Sequence, residues 1–212
     1  MITYIHSFSI AVGSIDYETV PVEIKTEITP GLGIHLVGLP DNFVKESLLR
    51  TITAMQAKGF KFPGKKIKIK ITPDGPCCPQ MYDLPIALGI IAASGQMEFP
   101  GLDDYIIAGE LGLDGSVRDI SGRYAVELAR RTNKRCILPV KTVERIKELM
   151  LDDGVEIHGV DTLDEAADIL SREPRTVCPS CPKCGARLVA SDLPPYDYYC
   201  PECDEDFYNC EV

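Results

Sequence analysis

Paired cysteines near the end of the chain are the residues most able to do chemistry. They form two Cys-x-x-Cys pairs, Cys181-Pro-Lys-Cys184 and Cys200-Pro-Glu-Cys203. Two residues between paired cysteines let both thiolates turn onto one metal ion, and the residues between the pairs are enough for a hairpin that brings them together. The spacing therefore predicts a zinc ribbon, in which four thiolates hold a structural Zn²⁺ in a closed tetrahedral site.

Two further cysteines leave the ligand set open. Cys178 lies three residues before Cys181, so Cys178-Pro-Ser-Cys181 is an overlapping pair and Cys178 is an alternative ligand to Cys184. Gly185 favours Cys184, because such turns often need the permissive backbone of glycine after the second cysteine. Cys210 is then a spare thiol. Tetrathiolate sites hold either zinc or iron, so the sequence does not decide the metal.

Length and composition indicate a globular protein with a small appendage. Of the 212 residues, 45% are hydrophobic and 25% are charged. No apolar run approaches the roughly 20 residues of a membrane span, and the first residues lack the features of a signal peptide. We therefore expect a cytoplasmic protein with no membrane contact. The predicted organisation is one domain over residues 1–170, a linker over 171–177 and the zinc ribbon over 178–212.

The charge of the chain disfavours nucleic acid as a partner. The net charge is −10, and nucleic-acid binders usually carry a basic stripe. The one cationic cluster is made of the lysines at positions 58, 61, 65, 66, 68 and 70. It is interpreted either as a contact surface or as the solvated edge of a sheet, since lysines commonly guard exposed strand edges.

The order of secondary-structure patterns predicts an α/β or α+β fold. Strands with alternating apolar residues are expected at residues 4–12, 20–28, 34–37 and 67–71, and later strands alternate with helices. An apolar helix over residues 84–94 is expected to be buried. Asp41 and Asp83 are predicted to cap the first two helices. An Asp114-Gly115 pair indicates a hairpin turn.

Three ordered motifs in residues 1–170 resemble a known family. The first combines Val37-Gly-Leu-Pro-Asp41 with Lys45-Glu-Ser47, the second is Asp83-Leu-Pro-Ile-Ala-Leu-Gly-Ile90, and the third is Gly109-Glu-Leu-Gly-Leu-Asp-Gly115. They are similar to the N-terminal domain of the magnesium-chelatase-like proteins that include the competence protein ComM. This resemblance implies the fold of the Lon protease catalytic domain, a mixed sheet with packed helices.

The resemblance also shows what this chain lacks. The family carries an AAA+ ATPase module after this domain, but no Gly-x-x-x-x-Gly-Lys-Ser/Thr phosphate loop occurs here. Lon-type peptidases use a serine activated by a lysine, and alignment on the motifs places Met81 and Tyr124 at those two positions. In a second register Cys77 replaces the serine, yet no lysine lies between Gly109 and Asn133 to serve as its base.

These observations lead to a hypothesis of binding without catalysis. We expect a Lon-like adaptor with a zinc ribbon that recognises a protein partner and is accessory to a magnesium-chelatase-like AAA+ ATPase. One alternative is an accessory factor in nucleic-acid processing, with the lysine cluster as its contact surface. The other is a cysteine hydrolase that uses Cys77.

Overall fold

The computed structural model describes residues 1–12, 17–73, 79–152, 154–172, 183–184, 189–190 and 198–207. The chain divides into two compact units, Met1–Pro174 and Arg175–Val212. Within the described residues, no helix combines the length and the apolar character that crossing a bilayer requires.

A mixed seven-stranded sheet forms the centre of the first unit. The strands of this unit are β1 (Ile2–Val12), β2 (Tyr17–Thr29), β3 (Gly33–Val37), β4 (Lys66–Thr72), β5 (Tyr105–Ile107), β6 (Glu110–Leu111), β7 (Val117–Arg118), β8 (Arg135–Pro139) and β9 (Ile157–Val160). The order in the sheet is β3-β4-β2-β1-β5-β8-β9. β2 is antiparallel to β1 and β4, whereas the pairs β1–β5, β5–β8 and β8–β9 are parallel. β6 and β7 form the predicted hairpin at Asp114-Gly115.

In the part of the chain that the structure describes, five α-helices accompany the sheet. They are α1 (Asp41–Ala57), α2 (Asp83–Ser94), α3 (Arg123–Thr132), α4 (Val140–Glu148) and α5 (Leu163–Arg172). α3 and α4 connect parallel neighbours, β5 to β8 and β8 to β9, as parallel pairing requires. The predicted α/β class is confirmed.

Strand β4 shows how the sequence pattern sets the two faces of the sheet. Ile67, Ile69 and Ile71 are fully buried, while Lys68 and Lys70 between them point to solvent. This alternation follows from the two-residue repeat of a strand. β4 lies between β3 and β2, so the interpretation of its lysines as the guard of a sheet edge is wrong.

Helix α2 is the central element of the core. It packs on β1 and β2 as well as on α1 and α5, and every residue from Asp83 to Ala93 is buried. Gly89 permits the close approach to the sheet, since a Cβ atom there would lie 2.7 Å from the hydroxyl oxygen of Thr26. The apolar run therefore forms the buried helix that the sequence predicts.

The two predicted helix caps are wrong. The N-cap residue of α1 is Pro40, and that of α2 is Tyr82; neither makes a side-chain capping bond. Asp83 is instead the first residue of α2, and its carboxylate accepts hydrogen bonds from Ser47 in α1 and from the amide of Leu111 in β6. Burial explains why Asp83 does not cap its helix, because a fully enclosed carboxylate needs stronger donors than the first helical amides provide.

The second unit contains a small antiparallel sheet in its described part. The strands are β10 (Val189–Ala190), β11 (Tyr198–Cys200) and β12 (Glu205–Phe207), in that order. β11 and β12 are joined by the tight turn at residues 201–204, in which the amide of Asp204 donates to the carbonyl of Cys200 at 2.9 Å. This turn follows Cys200 and contains Cys203, so it places the two cysteines of the second pair side by side.

Candidate functional site

A buried polar cluster links α1 to α2. The Asp83 carboxylate is fully buried and accepts a bond of 2.6 Å from Nε of Arg50 and one of 2.7 Å from the hydroxyl of Ser47. The backbone amide of Leu111 donates to it at 3.4 Å. On its other side Arg50 binds Glu46 at 2.6 Å, near the surface. This arrangement satisfies a buried charge with an opposite charge and further donors.

The electrostatics of the cluster are those of an enclosed ion pair. Burial raises the pKa of Asp83 to about 6, while the hydrogen bonds from Arg50 and Ser47 act in the opposite direction. Burial works to lower the pKa of Arg50, but the hydrogen bond and charge of Asp83 hold that pKa above its ordinary value. Burial thus disfavours the charged form of Asp83, and Arg50, Ser47 and the amide of Leu111 favour it.

The three motifs that carry the family resemblance meet at this cluster. The first supplies Ser47, with Arg50 one helical turn after it, and the second begins with Asp83. The third contributes the amide of Leu111. In the same motif, the amide of Gly109 donates to the carbonyl of Met81 at 2.8 Å, and the carbonyl of Gly109 accepts from the amide of Leu84 at 3.0 Å. Side chains at Gly109 have no room, because a Cβ atom would lie 2.7 Å from Val117. The motifs therefore build one structural junction.

The two positions that the sequence motifs predict for a Lon-type serine and lysine hold Met81 and Tyr124. Met81 is almost fully buried in the short helix Pro79–Tyr82 that leads into α2. Tyr124 is half-buried in α3, and the guanidinium of Arg123 lies 5.2 Å from the centre of its ring. A thioether cannot act as an activated nucleophile, and a phenol does not replace the lysine amine. Cys77 lies outside the described residues.

Three of the four predicted metal ligands lie together in the second unit. The sulfur atoms of Cys184, Cys200 and Cys203 are all within 4.8 Å of one another. Cys200 is buried, Cys203 is half-buried and Cys184 is exposed. Cys181, the fourth predicted ligand, and the alternatives Cys178 and Cys210 lie outside the described residues.

The geometry of these thiols fits a shared metal ion. Cys184 and Cys200 have their sulfur atoms 3.6 Å apart. This is close to the roughly 3.8 Å edge of a tetrahedron with metal–sulfur bonds of about 2.3 Å, and far longer than the ~2.05 Å of a disulfide. Three thiols from two turns can therefore hold one soft or borderline metal ion, with a fourth ligand completing the shell.

The turns that carry the thiols are tied together by polar side chains. The ammonium of Lys183, next to Cys184, binds the carboxylate of Glu205 at 2.6 Å. The hydroxyl of Tyr199 donates to Asp204 at 2.7 Å across the second turn. These contacts join the segment before Cys184 to β12 and hold the turn after Cys200, so the polar residues orient the ligands.

One cysteine of the first unit is chemically inert. Cys136 in β8 is fully buried, and burial raises the pKa of its thiol to about 12. A thiol in that state neither attacks a substrate nor binds a metal at neutral pH, because both need the thiolate. The other cysteines within the described residues, Cys184, Cys200 and Cys203, all belong to the second unit.

The Asp83 cluster was not predicted from the sequence. Ser47 and Asp83 are 36 residues apart, and an aspartate before an apolar helix fits a capping role equally well. A signal was present, however, since a cap is a surface feature and Asp83 precedes a helix with no polar face. An acidic residue at the start of such a helix is expected to be buried, where a carboxylate needs a cation or several hydrogen-bond donors.

Comparison with known proteins agrees with the motifs. Residues 22–142, more than half of the chain, match the family model described as subunit ChlI of Mg-chelatase. The chain is 37% identical over 156 residues to the competence protein ComM of Haemophilus influenzae, and this alignment covers 73% of the chain and 30% of ComM. It is 41% identical over 136 residues to the uncharacterized protein YifB of Escherichia coli, covering 63% of this chain and 27% of YifB.

A more distant match extends the comparison. The DNA repair protein RadA of Aquifex aeolicus is 31% identical over 91 residues, which cover 42% of this chain and 18% of RadA. The aligned regions span less than a third of each of these relatives. The matched segment of this chain contains the whole Asp83 cluster, from Ser47 to Leu111. The chain therefore belongs to the Mg-chelatase ChlI-like family and carries the N-terminal domain of its ComM and YifB members.

Proposed function

We propose that this protein is a non-catalytic binding module that serves as an adaptor for a protein partner. In this proposal residues 1–170 are a Lon-like domain, residues 171–177 are a linker, and residues 178–212 are a zinc ribbon. The chemistry of Met81 carries the proposal, because a thioether supplies no activated nucleophile, and Tyr124 stands where the activating lysine is expected. The partner we propose is an AAA+ ATPase of the magnesium-chelatase-like family.

The proposed ribbon gives the adaptor its second surface. We assign Zn²⁺ to four cysteines, Cys181, Cys184, Cys200 and Cys203. When bound, the ion would cross-link the two turns that carry them. The spacing of the sequence and the proximity of three of these thiols support the assignment. A site closed by four protein ligands leaves no position for a substrate, so its role is to fold and present the surrounding surface.

Capture of partners by the full chain tests the adaptor function. Tagged protein is incubated with extract of its native host, and bound proteins are identified by mass spectrometry. We expect an AAA+ ATPase of the same family among proteins held by the wild-type chain. A matched bait, the Lys141→Gln/Lys147→Gln variant with two exposed charges of α4 removed, should hold the same protein. Absence of any such ATPase from the wild-type capture would contradict the adaptor proposal.

A second candidate function is supported by the names of two relatives. ComM is called a competence protein and RadA a DNA repair protein, which favours an accessory role in nucleic-acid processing. The lysines from Lys58 to Lys70 would supply the contact surface for this role. Binding of single-stranded DNA that weakens steeply with salt would support it.

A further inference from the structure

The open face of the sheet carries a lysine-rich groove whose occupant is not assigned. The groove has a volume of about 410 Å³, and its lining includes Lys25, Lys66, Lys68, Lys70, His35 and Val37. These residues come from three neighbouring strands, β2, β4 and β3. The groove is thus a feature of the sheet face itself, with a floor of hydrogen-bonded strands.

The positive charge of the groove is largely unneutralised. Four lysines face one glutamate, Glu27, so the lining has an excess of three positive charges in a chain whose net charge is −10. Glu27 is paired with Lys68 at 3.5 Å. Among the described residues, no carboxylate pairs with Lys25, Lys66 or Lys70 within ion-pair distance. Clustered like charges repel one another, so an anionic ligand would relieve this repulsion.

The lysines repeat with the period of an extended peptide. Lys66, Lys68 and Lys70 alternate along β4, which puts neighbouring lysines about 6.6 Å apart on one face. An extended peptide presents every second side chain at the same step. Acidic residues at alternate positions of such a peptide would therefore each meet one lysine.

Apolar side chains flank the groove and favour a peptide further. Val37 is 56% exposed on β3, and Tyr4 is 41% exposed on β1 at the opposite side. Val37, Lys70, Lys25 and Tyr4 lie in one row across the sheet, by the register of the four strands. A charged row with an apolar residue at each end suits a ligand that carries both acidic and apolar side chains.

The same face is poorly suited to single-stranded nucleic acid. Such ligands need aromatic rings on which successive bases stack. Tyr4 and His35 lie on strands that are separated by β2 and β4, which puts them about 14 Å apart at ~4.8 Å per strand. The ring of Tyr4 is also already covered by the ammonium of Lys25, 5.4 Å from its centre.

We propose that this lysine-rich face binds an extended acidic segment of a partner protein, with acidic side chains at alternate positions. The inference rests on the proposed adaptor function and specifies the chemistry of its partner. The segment would lie over β4, with its alternate carboxylates on Lys66, Lys68 and Lys70.

Peptide binding to the full chain tests the proposal. The probe is a fluorescent eight-residue peptide of alternating glutamate and threonine, and the control peptide has four glutamates followed by four threonines. Fluorescence anisotropy at about 50 mM salt should show the alternating peptide binding at least about fivefold more tightly, because its carboxylates match the lysine spacing. In the Lys68→Gln/Lys70→Gln variant, its Kd should rise about tenfold.

Matched variants and ligands make the result decisive. Lys141→Gln/Lys147→Gln removes the same charge from the exposed face of α4 and should change the Kd by less than about twofold. Equal binding of both peptides, no binding at about 1 mM, or an unchanged Kd in Lys68→Gln/Lys70→Gln would overturn the proposal. Tighter binding of an eight-nucleotide thymidine strand would assign the face to nucleic acid instead. Self-association lost in the same variant would assign it to a second copy of the chain.

The capture experiment separates this inference from the adaptor function. If an AAA+ ATPase binds wild-type protein and Lys68→Gln/Lys70→Gln equally, the adaptor function holds and the lysine-rich face is not its docking site. If no such ATPase binds either protein, the adaptor function itself fails. Thermal unfolding of both variants confirms that the exposed substitutions leave the fold intact.

Discussion

Replacing Arg50 by methionine is expected to lower the free energy of unfolding by about 3–5 kcal/mol at neutral pH, because it leaves the buried Asp83 carboxylate without its cation. Methionine keeps much of the apolar stem of the arginine, so lost packing contributes little. Urea denaturation followed by circular dichroism measures the effect. Arg172→Met, which breaks an exposed pair with Asp168, is the matched control and should leave the unfolding midpoint unchanged.

The penalty should shrink in acid. The pKa of Asp83 is raised by burial to about 6, above the roughly 3.9 of an unfolded aspartate, so the folded state takes up a proton between these values. The stabilising effect of that proton is fully present below about pH 4 and is lost as the pH rises through about 6. Without Arg50 the pKa of Asp83 is expected to rise further, so the pH range in which the bound proton stabilises the folded state extends toward neutral pH.

Removal of the second charge provides the control for this interpretation. Asp83→Asn in the Arg50→Met background should restore at least half of the lost stability, because no unpaired charge is then buried. An Arg50→Met penalty that is small at neutral pH, or that does not change between about pH 7 and pH 5, would contradict the buried ion pair.

Removing the proposed metal ion is expected to unfold the second unit and leave the first unit intact. A unit of this size has too little core to fold alone, and structural zinc contributes about 10–16 kcal/mol in comparable small sites. Hydrogen exchange measured by mass spectrometry, with and without EDTA, follows both units in one sample. Protection of residues 198–207 should be lost, while that of α2 should be unchanged.

Cysteine variants identify the ligands of this site. Cys200→Ser and Cys203→Ser should reduce the bound metal from one ion per chain to almost none, whereas Cys136→Ala should retain it. Cys178→Ser and Cys181→Ser decide the remaining position, and elemental analysis separates zinc from iron. Unchanged protection in EDTA, together with a full metal content in Cys200→Ser, would contradict a thiolate site.

Much of the first unit could be predicted from local patterns. Alternation of isoleucine and lysine fixes the faces of β4, and the apolar run of α2 requires burial on all sides. The partners of Asp83 could not be predicted, because Ser47 and Arg50 lie 36 and 33 residues away along the chain and local patterns do not pair them. The position of β4 inside the sheet is similarly hidden, since chain order does not show that β3 lies beyond it.

The thiol site was predictable for the opposite reason. The candidate ligands of each pair are close in sequence, and two residues between paired cysteines restrict both sulfurs to one side of a turn. Cys200 and Cys203 lie in such a turn, and Cys184 comes within 3.6 Å of Cys200. Spacing cannot decide between overlapping pairs, so the roles of Cys178 and Cys181 stay predictions.

The central claim, that this family member binds without transforming its ligand, is tested most directly by a turnover measurement. Purified full chain is incubated with ATP and an unstructured protein substrate, and peptide fragments and released phosphate are followed by mass spectrometry and a phosphate assay. We predict neither product above the buffer background, for the wild type and for Cys77→Ser alike. Fragments that the wild type produces and Cys77→Ser does not would contradict the claim.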